Sequence, residues 1–155
     1  MRATLVEWMG PEDANNGGFV HGGTIMKLCD EAAGLAAVRH CRQRCVTAGM
    51  DRMTFRSRVD VGEVVTLEAT VNAVWRTSLE VGVRVTAENL QTGESRHTST
   101  AYLTMVAVDA DGRPLVVPPL EVPEDDAEAR RRGREAQVRR ENRLAERDQF
   151  HPRGA

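Results

Sequence analysis

Asn15, Gly22, Gly23 and Asp30 are the residues of this 155-residue chain whose types and spacing allow chemistry. Asn15 opens a loop, Asn15-Asn16-Gly17-Gly18, that leads through Phe19, Val20 and His21 to the Gly22-Gly23 pair. An apolar helical run starts there and carries a single edge-facing acid, Asp30, about two turns in. Without a Cβ, the glycine pair lets a second molecule approach bare backbone N–H groups. At the start of a helix those groups are unpaired and lie at the positive end of the macrodipole, where an oxyanion or a polarised carbonyl is stabilised. A carboxylate within reach can activate water. The chemistry implied is hydrolysis.

Each of these residues also has a plainer explanation. A lone helix acid is ordinarily a solvated charge, and Glu31 fits that description, one turn from Lys27 as half of an exposed i,i+4 pair. Asp30 instead falls at the edge of the apolar face beside Met26, Ala33 and Ala37, with Gly34 leaving it uncovered. An acid held against apolar surface is a candidate for function. Asn15 has the alternative of an Asx-turn, which Asn16 could form equally well. His40, Cys41 and Cys45 lack paired metal-ligand spacing and a fourth ligand, so no metal is expected. Neither a serine nucleophile elbow nor a dinucleotide-binding glycine loop occurs, and no bound cofactor is expected.

The elements that must position these residues are legible from periodicity. Ala3 to Met9 suits a first strand, and Thr24 to about His40 a helix. Ile25, Cys29, Ala32, Ala33 and Ala36 share one helix face, and Met26, Leu28, Leu35 and Ala37 widen it until little of the helix is polar. Such a helix must be wrapped, most simply by a curved sheet. Val65 to Trp75 and Leu79 to Ala87 alternate apolar and polar residues, with Glu80, Gly82 and Arg84 on the polar side. Gln91-Thr92-Gly93-Glu94 reads as a turn into a last strand, Ser95 to Asp109. The order is strand, helix, then four or so strands in meander, an α+β arrangement. Periodicity alone does not name the fold.

From about Glu121 the composition changes. Acids precede Arg130-Arg131-Arg132, which matches the macrodipole of a helix starting near Pro123, read as solvated and fraying towards the end of the chain. Arg130, Arg131, Arg132 or Arg134 folding back onto a phosphate is the functional alternative. The net charge of −2 makes no case for nucleic acid or an acidic membrane surface. No apolar run is long enough to span a bilayer and no leader is evident. Cys29, Cys41 and Cys45, odd in number and unpatterned, point to reduced thiols and a cytoplasmic setting.

Pro11, Asn15, Gly18, Gly22, Gly23, Ile25, Met26 and Asp30 together resemble the signature of the hotdog-fold acyl-CoA thioesterases, the acyl-CoA hydrolase family. Val46-Thr47-Ala48, Asp51, Phe55, Val61 to Val65, Arg76 to Val81, Gly93-Glu94, Thr104 to Asp109, Gly112-Arg113-Pro114 and Val117-Pro118 follow in the family's order. The resemblance covers roughly residues 5 to 120. It implies a hotdog fold, an antiparallel sheet wrapped around a central helix, for residues 1–120, with 121–155 as a charged helical and partly disordered tail. It implies hydrolysis of acyl-CoA to a free acid and CoA, at a site shared between two subunits, Asn15 from one and Asp30 from the other. Asp30 would be general base or nucleophile, Asn15 would hold water or the carbonyl, and the N–H groups of Gly22 and Gly23 would polarise it. CoA is then part of the substrate.

Thr47 would support Asp30, and Arg76, Thr77 and Ser78 would line the CoA path. Arg56 and Arg58 are further candidates for CoA phosphates. Trp75 departs from the family, which often has glycine there, and would narrow that channel. The family often has an aromatic residue where His21 stands, so His21 is read as filling space. A homo-oligomer follows, a dimer at minimum and a trimer of dimers by resemblance, because one helix leaves sheet edges and the opposite face to be covered. Two other functions remain open: an acyl-CoA sensor without catalysis, and a hydratase or dehydratase using His21 as base.

Overall fold

A computed structural model describes residues 1–150; the last five residues of the expected tail lie outside it. Strand β1 (Arg2–Trp8) leads through a short 3-10 turn (Pro11–Asp13) into helix α1 (Gly22–Cys41). Five strands follow, β2 (Arg44–Met50), β3 (Thr54–Phe55), β4 (Val64–Val74), β5 (Ser78–Glu88) and β6 (Ser95–Val108), and helix α2 (Ala127–Phe150) ends the description. The strands form one antiparallel sheet in the order β1-β4-β5-β6-β2, with β3 on β6. The sheet wraps α1. The expected α+β hotdog architecture is present.

Alternation along β4 and β5 does what period-two patterning requires. Val65, Leu67, Ala69, Val71, Leu79, Val81, Val83 and Val85 are buried on the concave face, against Ile25, Cys29, Ala32, Ala33, Ala36 and Ala37 of α1. Because the α1 residues at this contact are mostly alanine and cysteine, the helix lies close to the sheet. The widened face does not all point inward: Met26, Leu35 and Val38 are exposed. The helix also begins two residues earlier than periodicity suggests, because Gly22 and Gly23 form its first turn. It ends at Arg42, whose left-handed backbone (φ 53°) directs its N–H to Val38 O at 2.8 Å.

Strands β2 and β3 escaped the sequence pattern, and the C-terminal helix departs from its expected form. Strand β2 shows no alternation because it is an edge strand, exposed over most of its length. The C-terminal helix starts at Ala127 rather than near Pro123, and it is not solvated all round: Ala136 is fully buried. Helix α2 covers part of the convex face, over a register shift in β4 between Val71 and Ala73. Asn72, at that bulge, is buried and donates Nδ2 to Glu80 Oε1 at 3.1 Å. Gly82 permits this, since a Cβ there would stand 2.7 Å from Asn72 Nδ2.

Glu80, on the polar side of β5, is thereby completely buried, and α2 supplies its counter-charges. Arg139 meets Glu80 through Nε (3.1 Å to Oε2) and Nη2 (2.7 Å to Oε1). Arg143 reaches Glu80 at 3.4 Å and Asp51 at 2.6 Å, tying α2 to the end of β2 as well. Removing one partner from a buried ion pair leaves the other uncompensated. Glu80→Gln is expected to cost about 3 kcal/mol, the low end for such pairs because the amide still accepts and Arg143 keeps Asp51. Urea unfolding of both proteins measures it, and a loss below 1 kcal/mol would show that α2 is not held this way.

Candidate active site

The loop from Gly10 to Val20 is held by its own backbone. Asn15 N–H donates to Phe19 O (2.8 Å) and Gly18 N–H to Asn15 O (3.0 Å), with Gly18 at φ 80°, a conformation that suits a residue without a Cβ. The Asn15 side chain does form an Asx-turn, Oδ1 accepting from Gly17 N–H at 2.8 Å. The amide Nδ2 has no partner among the described residues, so turn formation and a functional role are compatible here. His21 N–H donates to Asp13 O at 2.8 Å and fixes where α1 begins.

At that start, His21 occupies the N-cap without a side-chain hydrogen bond to the helix. Its carbonyl accepts from Thr24 N–H (3.0 Å) and Ile25 N–H (3.3 Å). The N–H groups of Gly22 and Gly23 precede these and have no partner among the described residues. A Cβ on Gly23 would meet nothing within 4 Å, so its surroundings are open to a ligand. Two uncapped donors at a helix N-terminus form the polar half of an anion or carbonyl site.

The acid lies on the same helix. Asp30 is half-buried, and its Oδ1 accepts a short hydrogen bond from Thr47 Oγ1 on β2. The Thr47 hydroxyl also lies 3.4 Å from Met105 Sδ, on the neighbouring strand β6. A register shift between Thr47 and Gly49 follows, a feature that re-aims side chains next to functional sites. Oδ2 of Asp30 has no protein partner among the described residues. Lys27 pairs with Glu31 at 3.4 Å, so the neighbouring acid is the solvated one.

Cys29, next in sequence to Asp30, is fully buried. Burial, reinforced by the Asp30 charge, pushes its thiol up to about 12, which removes it as a nucleophile near neutral pH. His40 is tied by Nε2 to Pro118 O at 2.9 Å, and no cluster of three His, Cys, Asp or Glu suited to a metal occurs among the described residues.

The structure brings Asp30 and Thr47 together, and places Gly22 and Gly23 at one helix end beside the Asn15 loop. No hydrogen bond joins Asn15 to Asp30 within one chain. Arg76 and Thr77 form the β4–β5 turn and Ser78 opens β5; Trp75 N–H closes that turn on Ser78 O at 2.8 Å. Trp75 Nε1 donates to Gln137 Oε1 of α2 at 3.0 Å. Arg56 is exposed, its backbone N–H on Thr98 O (2.8 Å). Arg58 is engaged by Asp60 at 2.9 Å and lies 5.6 Å over the Phe19 ring.

Sequence reasoning did not single out the clamp behind the Asn15 loop. Glu63 is buried, and both its oxygens bind Arg96 (2.6 and 2.8 Å), which also donates to Arg58 O at 2.7 Å. Glu63 Oε2 accepts from Asp60 N–H at 2.8 Å as well. The turn held in this way pairs with the loop through Phe19 and Asp60, and through Val20 N–H to Val59 O at 2.9 Å. The only sequence signal was the Val61-Gly62-Glu63 stretch; Arg96 gave none, because its partner is 33 residues away.

Comparison with known proteins agrees with this geometry. The thioesterase superfamily model matches residues 17–94. An uncharacterised acyl-CoA thioester hydrolase of Bacillus subtilis is 42% identical over 118 residues, 76% of this chain and 68% of the relative. This chain belongs to the hotdog-fold acyl-CoA thioesterase family. An apo-hexameric acyl-CoA thioesterase superposes with a TM-score of 0.87 at 39% identity, covering 94% of this chain and 92% of that one. The Staphylococcus aureus acyl-CoA hydrolase, solved with butyryl coenzyme A, coenzyme A and coenzyme A disulfide, gives 0.86 at 30% identity over 96% of this chain and 90% of its own. Structures of that enzyme with an aspartate, an asparagine or a threonine replaced by alanine match equally well. The chain is also 36% identical to the rat cytosolic acyl coenzyme A thioester hydrolase, of whose length it spans 34%. No helix among the described residues is long and apolar enough to cross a membrane.

The Arg96 guanidinium holds the Glu63 carboxyl below the usual glutamate value of 4.5. A depressed acid contributes stability that is fully present above its unfolded value and lost as pH falls through the folded one. Glu63→Gln should therefore lower stability at pH 7 and flatten its pH dependence below 4.5, as read from thermal melts. Parallel curves for the two proteins in the acid range would mean that the pair contributes nothing.

Proposed function

We propose that the protein hydrolyses acyl-CoA thioesters to a carboxylic acid and CoA, with Asp30 acting on water or directly on the thioester. The observation that carries this reading is the Asp30 carboxylate itself. One of its oxygens is fixed by Thr47 and the other is unbonded, on a helix whose first two N–H groups are free. The Gly22 and Gly23 donors polarise the carbonyl, the Asn15 amide orients the water or the same oxygen, and thiolate leaves without a strong acid. If Asp30 attacks instead, a mixed anhydride forms, and water then cleaves it.

Helix geometry supports a site made by two copies. Gly23 and Asp30 are seven residues apart, about 10 Å along the axis at 1.5 Å per residue. One carbonyl cannot meet both groups of the same chain. Two α1 helices running antiparallel would bring the Asn15 loop and glycine pair of one copy to the Asp30 of the other. The exposed apolar side of α1, with Met26, Leu35 and Val38, and the open edge at β2 provide a surface for that pairing. The hexameric state of the solved relative supports a homo-oligomer.

Spacing supports the residue assignment. In the Staphylococcus aureus enzyme the asparagine replaced by alanine precedes the aspartate by fifteen positions, and the threonine follows it by seventeen. Asn15, Asp30 and Thr47 stand at those separations here. Arg76, Thr77, Ser78, Arg56 and Arg58 remain candidates for CoA contacts, with Arg58 already committed to Asp60. Hydration would need His21 as the base; relatives and solved neighbours named as thioester hydrolases favour hydrolysis.

Thiol release from acyl-CoAs of graded chain length is the direct test. Asp30→Asn should lose about 10²–10⁴-fold in kcat, the range for a positioned general base, and Asn15→Ala about 10²-fold. Thr47→Val should lower kcat with little change in KM, because it loosens the base without touching the nucleotide. Full activity in Asp30→Asn would overturn the mechanism; saturable binding without turnover in the parent protein would favour a sensor. Oxygen-18 appearing in Asp30 during a single turnover would select the anhydride route.

A further inference from the structure

Trp75, the departure from the family in the β4–β5 turn, is explained by what it holds. Its indole donates to Gln137 Oε1, and the Arg140 guanidinium lies 5.0 Å over its ring. The Trp75 side chain thus fastens the middle of α2 beside Arg76-Thr77-Ser78. Between them is a cleft of about 170 Å³ lined by Trp75, Ser78, Thr104, Arg140, Arg143 and Leu144. Arg143 is spent on Asp51 and Glu80, whereas Arg140 and Arg76 pair with no carboxylate among the described residues. The Ser78 and Thr104 hydroxyls at this cleft make no hydrogen bond within the described chain, and Leu144 gives it one apolar wall.

A planar guanidinium stacked on an indole keeps its N–H edge free, and that edge is shaped for two phosphate oxygens. The cleft also stands at a usable distance from the acid. Thr47 lies opposite Met105, and Met105 opposite Leu79, the neighbour of Ser78. Two strand spacings, about 10 Å along the sheet, separate the ends of that row. Ser78 and Thr104 face α2 and Asp30 lies on the α1 side, so a pantetheine arm would join them by passing around the β4–β5 turn. We propose that Arg140, stacked on Trp75, is a substrate-binding residue that takes a phosphate of the CoA nucleotide, making α2 part of the specificity for CoA over nucleotide-free thioesters. Of the tail arginines considered from sequence, Arg131 pairs with Glu135, Arg132 with Glu128, and Arg130 donates to the Glu124 carbonyl, while Arg134 is exposed and does not line this cleft.

This inference rests on the hydrolase reading, and the test separates the two. Wild type, Arg140→Met and Trp75→Gly would be compared on butyryl-CoA, butyryl-dephospho-CoA and the butyryl thioester of N-acetylcysteamine. Loss of one charge-assisted contact should raise KM for butyryl-CoA about tenfold, with kcat kept. The preference for butyryl-CoA over the N-acetylcysteamine thioester should fall by the same factor in both variants. A penalty that vanishes on dephospho-CoA assigns the 3′-phosphate, and one that persists assigns the diphosphate. The slope of KM against salt should also flatten in Arg140→Met. An equal loss on all three substrates, or an unchanged preference, would overturn the proposal while leaving the hydrolase intact. If wild type turned over none of them, the hydrolase reading would fail, and calorimetric CoA affinity of wild type against Arg140→Met would still decide whether Arg140 holds the nucleotide.

Discussion

The close contact between α1 and the concave face of the sheet is the constraint on which the site depends. Cys29, Ala32, Ala33, Ala36 and Ala37 have no exposed surface, and none is larger than a cysteine. Small side chains let the helix axis approach the strands, and native interiors tolerate little change in volume at such contacts. That approach sets Asp30 against Thr47. A longer side chain at Ala33 would lift the acid away from its hydroxyl donor, and the carboxylate would lose the bond that fixes one of its oxygens. The exposed apolar strip of the same helix is the counterpart of this arrangement: one side packs the core, and another stays open.

Around that contact the fold uses two ionic clamps, one on each side of the sheet's work. Glu63 and Arg96 hold the 58–63 turn, which in turn holds the Asn15 loop by backbone pairing. Glu80, Arg139, Arg143 and Asp51 hold α2 on the convex face. Buried ion pairs add little net stability over apolar packing, but they penalise any arrangement in which a partner is missing. Here that penalty specifies geometry: one clamp places a loop that leads to the helix start, and the other places a helix beside the β4–β5 turn. Arg139 also stacks 3.7 Å over the Tyr102 ring, so α2 is located by aromatic as well as ionic contacts.

The arrangement suits thioester chemistry for electrostatic reasons. The charge that develops on a thioester's carbonyl oxygen needs preorganised donors, and under the proposed mechanism the uncapped N–H groups of Gly22 and Gly23 would supply them without reorganisation. In that mechanism the base needs orientation more than basicity, since thiolate leaves readily. Thr47 provides the orientation. Under the proposal for Arg140, specificity for the long, anionic CoA moiety would belong to a different part of the surface, where α2 and the β4–β5 turn meet.

Much of this was legible in the residues alone. Glycines without a Cβ, an acid at an apolar helix edge and the alternation of β4 and β5 are local features, so the helix start at Gly22-Gly23, the edge position of Asp30 and these core strands could be read directly. Edge strand β2 could not, because a strand exposed on both faces carries no period. Nor could the burial of Glu80: its place on the polar side of β5 says solvent, and only the docking of a helix 59 residues away makes it interior. Nor could the partners of Trp75, Gln137 and Arg140, which the fold brings from α2. The sequence by itself determined which residues have the chemistry, since side-chain type and short-range spacing are local properties. The tertiary structure alone decided which charges pair, which helix face stays open and which arginine stands beside the turn, because those depend on contacts between segments whose separation along the chain leaves no periodic trace.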